Sequence, residues 1–252
     1  MFICRLHLRS VRAFHFGGES VYSGCMPRRM NPLHTWHFYH VFNRGLDGRE
    51  IFDDNRAFER MMLTIWYYLW IQKRLRLSFY LNTTLAAQQE TMKHMLACEK
   101  RVELHAFCLM GNHFHLVLKQ LVDGGISHYL ALIQNSYTRY FNLKHKRTGV
   151  LFNTQFKAVL IENDNDLLNV SRYVHLNPLT AKVVADDSRL GSYAWSSLAF
   201  YLEKESDIKQ FVSKDDVMSR FQSPEKYWNF LMDRASHQQL LHSQKQLWLD
   251  NF

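Results

Sequence analysis

The chain has 252 residues, 47% apolar and 21% charged, with 10 glycines and 4 prolines, a composition that excludes disordered, collagenous and low-complexity sequence. Its 31 lysines and arginines against 23 acidic residues leave a net +8, which favours an anionic partner, most simply nucleic acid. No apolar run approaches the roughly 18 residues of a membrane span, and Arg5, Arg9 and Arg12 interrupt the start where a secretory signal would need continuous apolar sequence.

Residues 1–26 read as detached from the rest of the chain, with loop-like Gly17-Gly18 and Ser23-Gly24. Met26 or Met30 would serve as an alternative start, so 1–30 is an N-terminal extension that need not be native. The aromatic run Trp36–Asn43 reads as a strand closed by the turn chemistry of Asn43-Arg44-Gly45. Asp53 or Asp54 then caps a helix that carries Phe58, Met61, Met62, Ile65, Tyr68 and Leu69 at helical spacing. Residues 71–100, with a basic run (Lys73, Arg74, Arg76) and a helix-prone segment, read as an insertion.

Val102–Met110 and His113–Leu118 are two strands split by Gly111-Asn112, hence an antiparallel hairpin. A helix is expected from Ser127 to Leu143, with Lys144, Lys146 and Arg147 clustered at its end. Next come extended pieces at Val150–Phe152 and Phe156–Ile161, and then a helix capped near Asn163 or Asp164 and stopped by Pro178. An aromatic patch (Tyr193, Trp195, Tyr201) precedes a helical tail over 204–252. The order predicts an α+β fold, a central antiparallel sheet with helices packed on it. Cys4, Cys25, Cys98 and Cys108 show no C-x-x-C spacing and read as thiols of a reducing cytosol.

His113-Phe114-His115 carries the clearest chemistry. Residues two apart on a strand face the same side, so both imidazoles can grip one divalent cation while Phe114 anchors the other face. The metalloprotease H-E-x-x-H and the deaminase H-x-E with P-C-x-x-C are absent, and an oxygen as third ligand would suit Mg²⁺ or Mn²⁺ better than zinc. In the helix before Pro178, Tyr173 and Asn177 are four apart and share a face, whereas His175 points elsewhere. On spacing alone, an edge-of-core tyrosine and a turn asparagine are the commoner reading.

Four segments in this order resemble a known family: Tyr39-His-Val-Phe-Asn-Arg-Gly45, Cys108-Leu-Met-Gly-Asn-His-Phe-His-Leu116, Arg147-Thr-Gly-Val-Leu-Phe152 with Phe156-Lys157, and Arg172-Tyr-Val-His-Leu-Asn-Pro178. Together they are similar to the REP-associated tyrosine transposases and the related single-strand transposases of small bacterial insertion sequences, which are HUH endonucleases. The resemblance runs from about Trp36 to Tyr201. Many relatives carry proline where this chain has Gly111, which should keep the turn but loosen it.

The resemblance implies a ferredoxin/RRM-like HUH palm over 31–203, with His113, His115 and Asn177 as ligands of Mg²⁺ or Mn²⁺ and Tyr173 as nucleophile. It implies a DNA nicking and joining enzyme that cuts single-stranded DNA near hairpins through a 5′-phosphotyrosine, in a bacterial cytoplasm at the nucleoid, as a monomer or homodimer. Lys144, Lys146, Arg147, Lys157 and Arg172 are candidate DNA-binding residues. The proton acceptor for the tyrosine stays open among Lys157, Arg172 and a metal-bound water. Alternatives are a domesticated hairpin-binding protein without cleavage, a phosphodiesterase using water, and a relaxase or replication-initiator nickase.

Overall fold

The computed structural model describes residues 32–71, 76–204 and 208–233. The expected extension over 1–30, Lys73, Arg74, Cys4, Cys25 and the end of the tail lie outside these residues. Four strands, β1 (Phe38–Arg44), β2 (Val102–Met110), β3 (His113–Gln120) and β4 (Lys157–Ile161), form one sheet in the order β2-β3-β1-β4, with every neighbouring pair antiparallel. Helices α1 (Asn55–Tyr67), α2 (Leu77–Leu81) and α3 (Leu85–Leu96) lie between β1 and β2, and α4 (Gly125–Lys144) lies between β3 and β4. This is the ferredoxin-like β-α-β-β-α-β order, the palm that the motifs imply. Helix α5 (Asp164–Thr180) comes next, then the short helices α6 (Asp187–Leu190), α7 (Leu198–Tyr201) and α8 (Asp215–Met218), and finally α9 (Pro224–Met232).

The two faces of the sheet are built differently. On β1, Tyr39, Val41 and Asn43 are buried while Phe38, His40, Phe42 and Arg44 are half-buried, the alternation of a strand between a sealed and an open layer. The sealed face carries Phe114, Leu116 and Leu118 of β3 and is covered by α4, with α1 packed on it. Helix α1 starts where Asp54 accepts a hydrogen bond from the Ala57 amide, as its acidic cap predicts.

Helix α5 covers the other face, packing chiefly on β2 with lesser contacts to β3 and β4. Asn163 caps it through the Asp166 amide, and Leu167, Val174, Leu176 and Leu179 bury its apolar side. The expected stop at Pro178 is corrected: the helix runs on to Thr180 with the proline inside. Proline removes one amide from the ladder but keeps its carbonyl, which accepts from the Val183 and Val184 amides and so closes the end. Val150–Phe152, expected as extended strand, contributes one isolated bridge between Phe152 and Gly45.

Segments from the C-terminal third hide the β2 edge. Leu109 N–H donates to Trp195 O, Ser197 N–H to Phe107 O, and Ser213 N–H to Leu104 O, so the strand's outer groups are paired. Tyr227 and Leu231 of α9 and Val217 of α8 are fully buried, which makes residues 208–233 a strap over α5 built into the core.

Candidate functional site

Antiparallel pairing sets opposed residues side by side on one face. The register therefore builds one row of Cys108, His115, Phe42 and Lys157 across all four strands, and beside it a row of Met110, His113 and Arg44. Both rows lie on the α5 face. Because α5 sits mostly over β2, His115 is only 6% exposed, while Lys157 and Val159 of β4 are open to solvent. The site is a pair of imidazoles, His115 buried and His113 half-buried, with one flank, over β1 and β4, left accessible.

The two histidines reach this position on a tight turn. Gly45 is required beside it, since a Cβ there would come within 2.3 Å of Arg49 O. The Gly45 amide donates to Asn112 O (2.8 Å), and the Ile51 and Phe52 amides both donate to Gly111 O (2.8 and 2.9 Å). The loosening expected of Gly111 is thus offset, because both turn carbonyls are held by the neighbouring segment. Asn112 Nδ2 donates to Gly48 O, which turns Oδ1 toward His113 Nδ1 at 2.6 Å.

His115 Nδ1 lies 2.9 Å from His40 Nε2, and the two rings stack with centroids 5.1 Å apart. Each imidazole of the pair thus has Nδ1 engaged by a neighbour, the outer-shell arrangement that orients histidines for a cation at Nε2. Tyr173 descends from α5 onto these rings. Its centroid is 5.5 Å from that of His115 and 5.6 Å from that of His40, edge-on to both.

Burial pushes the Tyr173 phenol above the ordinary tyrosine range, with the nearby Cys108 thiol adding to the rise and the Asn177 carboxamide opposing it. Asn177 is 1% exposed, and neither Nδ2 nor Oδ1 finds a partner in full hydrogen-bond geometry, although the side chain lies close enough to the phenol to favour its ionised form. A buried carboxamide with both atoms unsatisfied is costly, which suits a group held for a ligand. Two imidazoles oriented through Nδ1 and a carboxamide oxygen are, by type, donors that suit a divalent cation.

The basic candidates scatter over several environments. Lys157 stands exposed at the end of the His115 row. Lys146 is exposed with a left-handed backbone (φ 49°), just past α4. Lys144 is drawn to Asp53 (2.5 Å) and Asp54 (3.1 Å), and the Arg147 guanidinium donates to Val150 O while lying over the Phe141 ring. Arg172 is buried under α9, donating to Phe230 O and Asn169 Oδ1 with its guanidinium 4.2 Å from the Phe230 ring centroid. His175 points away from the imidazole pair, into a core network with Tyr227 and Ser197. His40 and Arg44 are absent from the candidates that the motifs supply, although alternation along Phe38–Arg44 already puts both on one side.

A family model described as "Transposase IS200 like" matches residues 66–177, a segment that contains His113, His115, Tyr173 and Asn177 and leaves out β1. That segment is similar to the IS200-like transposases, in agreement with the resemblance carried by the motifs. A solved structure, of a REP-associated tyrosine transposase bound to a REP hairpin, is similar to this chain with 11% identity and a TM-score of 0.48, over 71% of this chain and 86% of that one. No curated protein matches the chain. Among the described residues, no helix is long and apolar enough to cross a membrane.

Proposed function

We propose that the chain is a metal-dependent single-stranded DNA endonuclease and strand-transferase that cuts beside DNA hairpins through a 5′-phosphotyrosine on Tyr173. The observation that carries this reading is the edge-on approach of Tyr173 to His115, ring centroids 5.5 Å apart, beneath a helix whose next turn brings the orphaned Asn177. Mg²⁺ or Mn²⁺, held by His113, His115 and Asn177, would polarise a non-bridging phosphate oxygen and stabilise charge in the transition state.

The chain's own residues do the rest. Tyr173 Oη forms a bond to phosphorus as the bond from phosphorus to O3′ breaks. The phenol loses its proton, and O3′ gains one to leave as a free hydroxyl. The covalent link keeps the energy of the broken phosphodiester, so rejoining to another 3′-hydroxyl needs no nucleoside triphosphate. Burial holds Tyr173 neutral at rest, which confines its activation to the moment when a phosphate and cation are in place. His40 grips the His115 ring and packs its own ring against Tyr173, fixing both groups for in-line attack.

The open flank over β1 and β4 receives the strand. Lys157 takes a backbone phosphate beside the His115 row, and Arg44 a second beside His113. Lys146, with Lys144 and Arg147 at the same helix end, takes duplex phosphate further out. Arg172, tied beneath α9, serves by holding α5 in register with the strap. A strand unpaired at the cut bends under α5 more readily than a duplex, which makes the single-stranded margin of a hairpin the substrate. The working location is the bacterial cytoplasm, at the nucleoid.

Hairpin DNA with a single-stranded flank and a 3′ label, incubated with Mn²⁺ and resolved under denaturing conditions, tests the reading. A labelled protein band that disappears in Tyr173→Phe is expected. Cleavage that persists in that variant would assign the attack to water and end the proposal.

A further inference from the structure

At the opposite end of the same sheet face lies a second group of metal-ligating side chains that the strand-transfer chemistry does not use. Glu103, His105 and Asp216 each offer one ligand atom, and these three atoms lie within 4.8 Å of one another. Among the described residues no other group of three or more His, Cys, Asp or Glu side chains meets that condition. Two pieces of local structure bring them together. Strand β2 has a bulge between Leu104 and Ala106, so that Glu103 (opposite Lys119) and Ala106 (opposite Val117) share the α5 face and His105 is the extra residue between them. The His105 ring is 4.9 Å from that of Phe38, on the same face. The chain returning to the β2 edge bridges Val212 to Leu104 and leads directly into α8, which carries Asp216.

His105 is the feature that asks for a ligand. It has no solvent exposure, and neither ring nitrogen has a partner in full hydrogen-bond geometry, although the ring lies close enough to Glu103 to favour its carboxylate form. Nε2 stands 3.6 Å from Glu103 Oε2 and Nδ1 stands 3.5 Å from Asp216 Oδ2, so the ring lies between the two carboxylates at ion-pair rather than close hydrogen-bond distance. Glu103 is itself braced, its Oε1 accepting from Ser213 Oγ at 2.8 Å, the outer-shell support a ligating carboxylate needs. Both carboxylates are partly exposed, so a cation would have an entry path and positions left for water.

We propose that Glu103, His105 and Asp216 form a second divalent-cation site, structural in role, that takes a first-row ion of the zinc type through one imidazole nitrogen and two carboxylate oxygens. One imidazole with two carboxylates is a set that zinc takes with water in the remaining position. Bound there, the ion pins α8 and the strap to the β2 bulge, at the far end of the strand from the turn that carries His113. The site is independent of the strand-transfer reading.

The test uses tag-free full-length protein stripped with chelator and titrated calorimetrically with Zn²⁺. The His113→Ala/His115→Ala double variant removes the first donor set and should still bind one Zn²⁺. Adding Asp216→Asn or Glu103→Gln to that background should weaken binding at least about tenfold. In the same background Zn²⁺ should raise the melting temperature, and the added substitutions should abolish the rise. His105→Ala empties a fully buried position and can unfold the chain, so the two carboxylate variants, on partly exposed side chains, carry the test. Absence of binding in the double variant, or binding that both carboxylate variants leave unchanged, would overturn the proposal and leave His105 as an imidazole set between two acids.

Discussion

Helix α5 carries two buried polar clusters two residues apart, and they differ in whether they are complete. His175 uses both nitrogens, Nδ1 with Tyr227 Oη and Nε2 with Ser197 Oγ, each at 2.7 Å, and Tyr227 Oη is also 3.3 Å from Ser171 Oγ. Asn177, one residue from the helix's proline, leaves both carboxamide atoms without a partner in full hydrogen-bond geometry, close to the Tyr173 phenol. Both are sealed from water. A closed network of this kind holds elements together and specifies one packing, whereas an open one costs stability unless something outside the chain completes it. On the proposed reading the first cluster is fold and the second is site, on one helix.

That contrast is broken most sharply by removing the phenol oxygen. Tyr173→Phe should lower strand cleavage at least about a thousandfold, because no second nucleophile stands in the donor set. Its melting temperature should stay within a few degrees of the parent, since the ring contacts with His115 and His40 remain. Removing the cation comes next. Chelation, or His115→Ala, should reduce cleavage by about two to three orders of magnitude while most hairpin affinity survives in gel-shift assays, since phosphate contacts supply that affinity.

Sequence separates the two clusters only in part. The bounds of the hairpin are largely readable, since β2 occupies the expected Val102–Met110 and β3 opens on His113, running two residues past the expected Leu118, because alternation and a glycine turn are local signals. The pairing of Tyr173 with Asn177 comes from helix spacing alone. Strand order is a long-range property, so nothing local places β1 beside β3, and His40 cannot be read as the residue that grips His115. The same blindness hides the partner of His175, which is supplied by Tyr227 from 52 residues away. Local rules also err where packing overrides them: Pro178 reads as a stop, yet Leu176 and Leu179 are buried on the last turn and hold it helical. The bulge that turns His105 inward has no signature in Val102-Glu-Leu-His-Ala-Phe107, where plain alternation would serve as well.

Breaking the closed cluster should show in stability rather than chemistry. His175→Ala leaves Tyr227 and Ser197 without their shared partner in a dry core and should destabilise the fold by about 2–4 kcal/mol, read by urea melts. Cleavage per folded molecule should stay near the parent value. Burial also pushes the His175 imidazole down to about 3. It is therefore neutral when folded and takes up a proton below about 6.5 when unfolded. Its contribution is complete above that value and is lost as pH falls toward 3, at up to about 1.4 kcal/mol per unit. Melts between pH 6 and pH 4 should accordingly show a shallower decline in His175→Ala than in the parent, and equal slopes would place the sensitivity elsewhere.

The smallest effect is expected at the rim of the open cluster. Lys157 shares the His115 row but is solvent-exposed, so on the proposed reading it would meet DNA as a point charge rather than as part of the donor set. Lys157→Ala should weaken hairpin binding by less than about tenfold and reduce the slope of log affinity against log salt by about one, with little change in which sequence is bound. Arg44→Ala should behave alike if the strand crosses both rows. A loss confined to one of the two would show that it runs along a single row, and so would set its direction relative to Tyr173: across the sheet from Lys157 toward the imidazoles, or along β1 past Arg44. The phosphate that reaches the phenol is the same in either case, but the unpaired bases on its two sides then meet different walls, Val159 and Phe42 in one direction and the turn at Gly45 in the other.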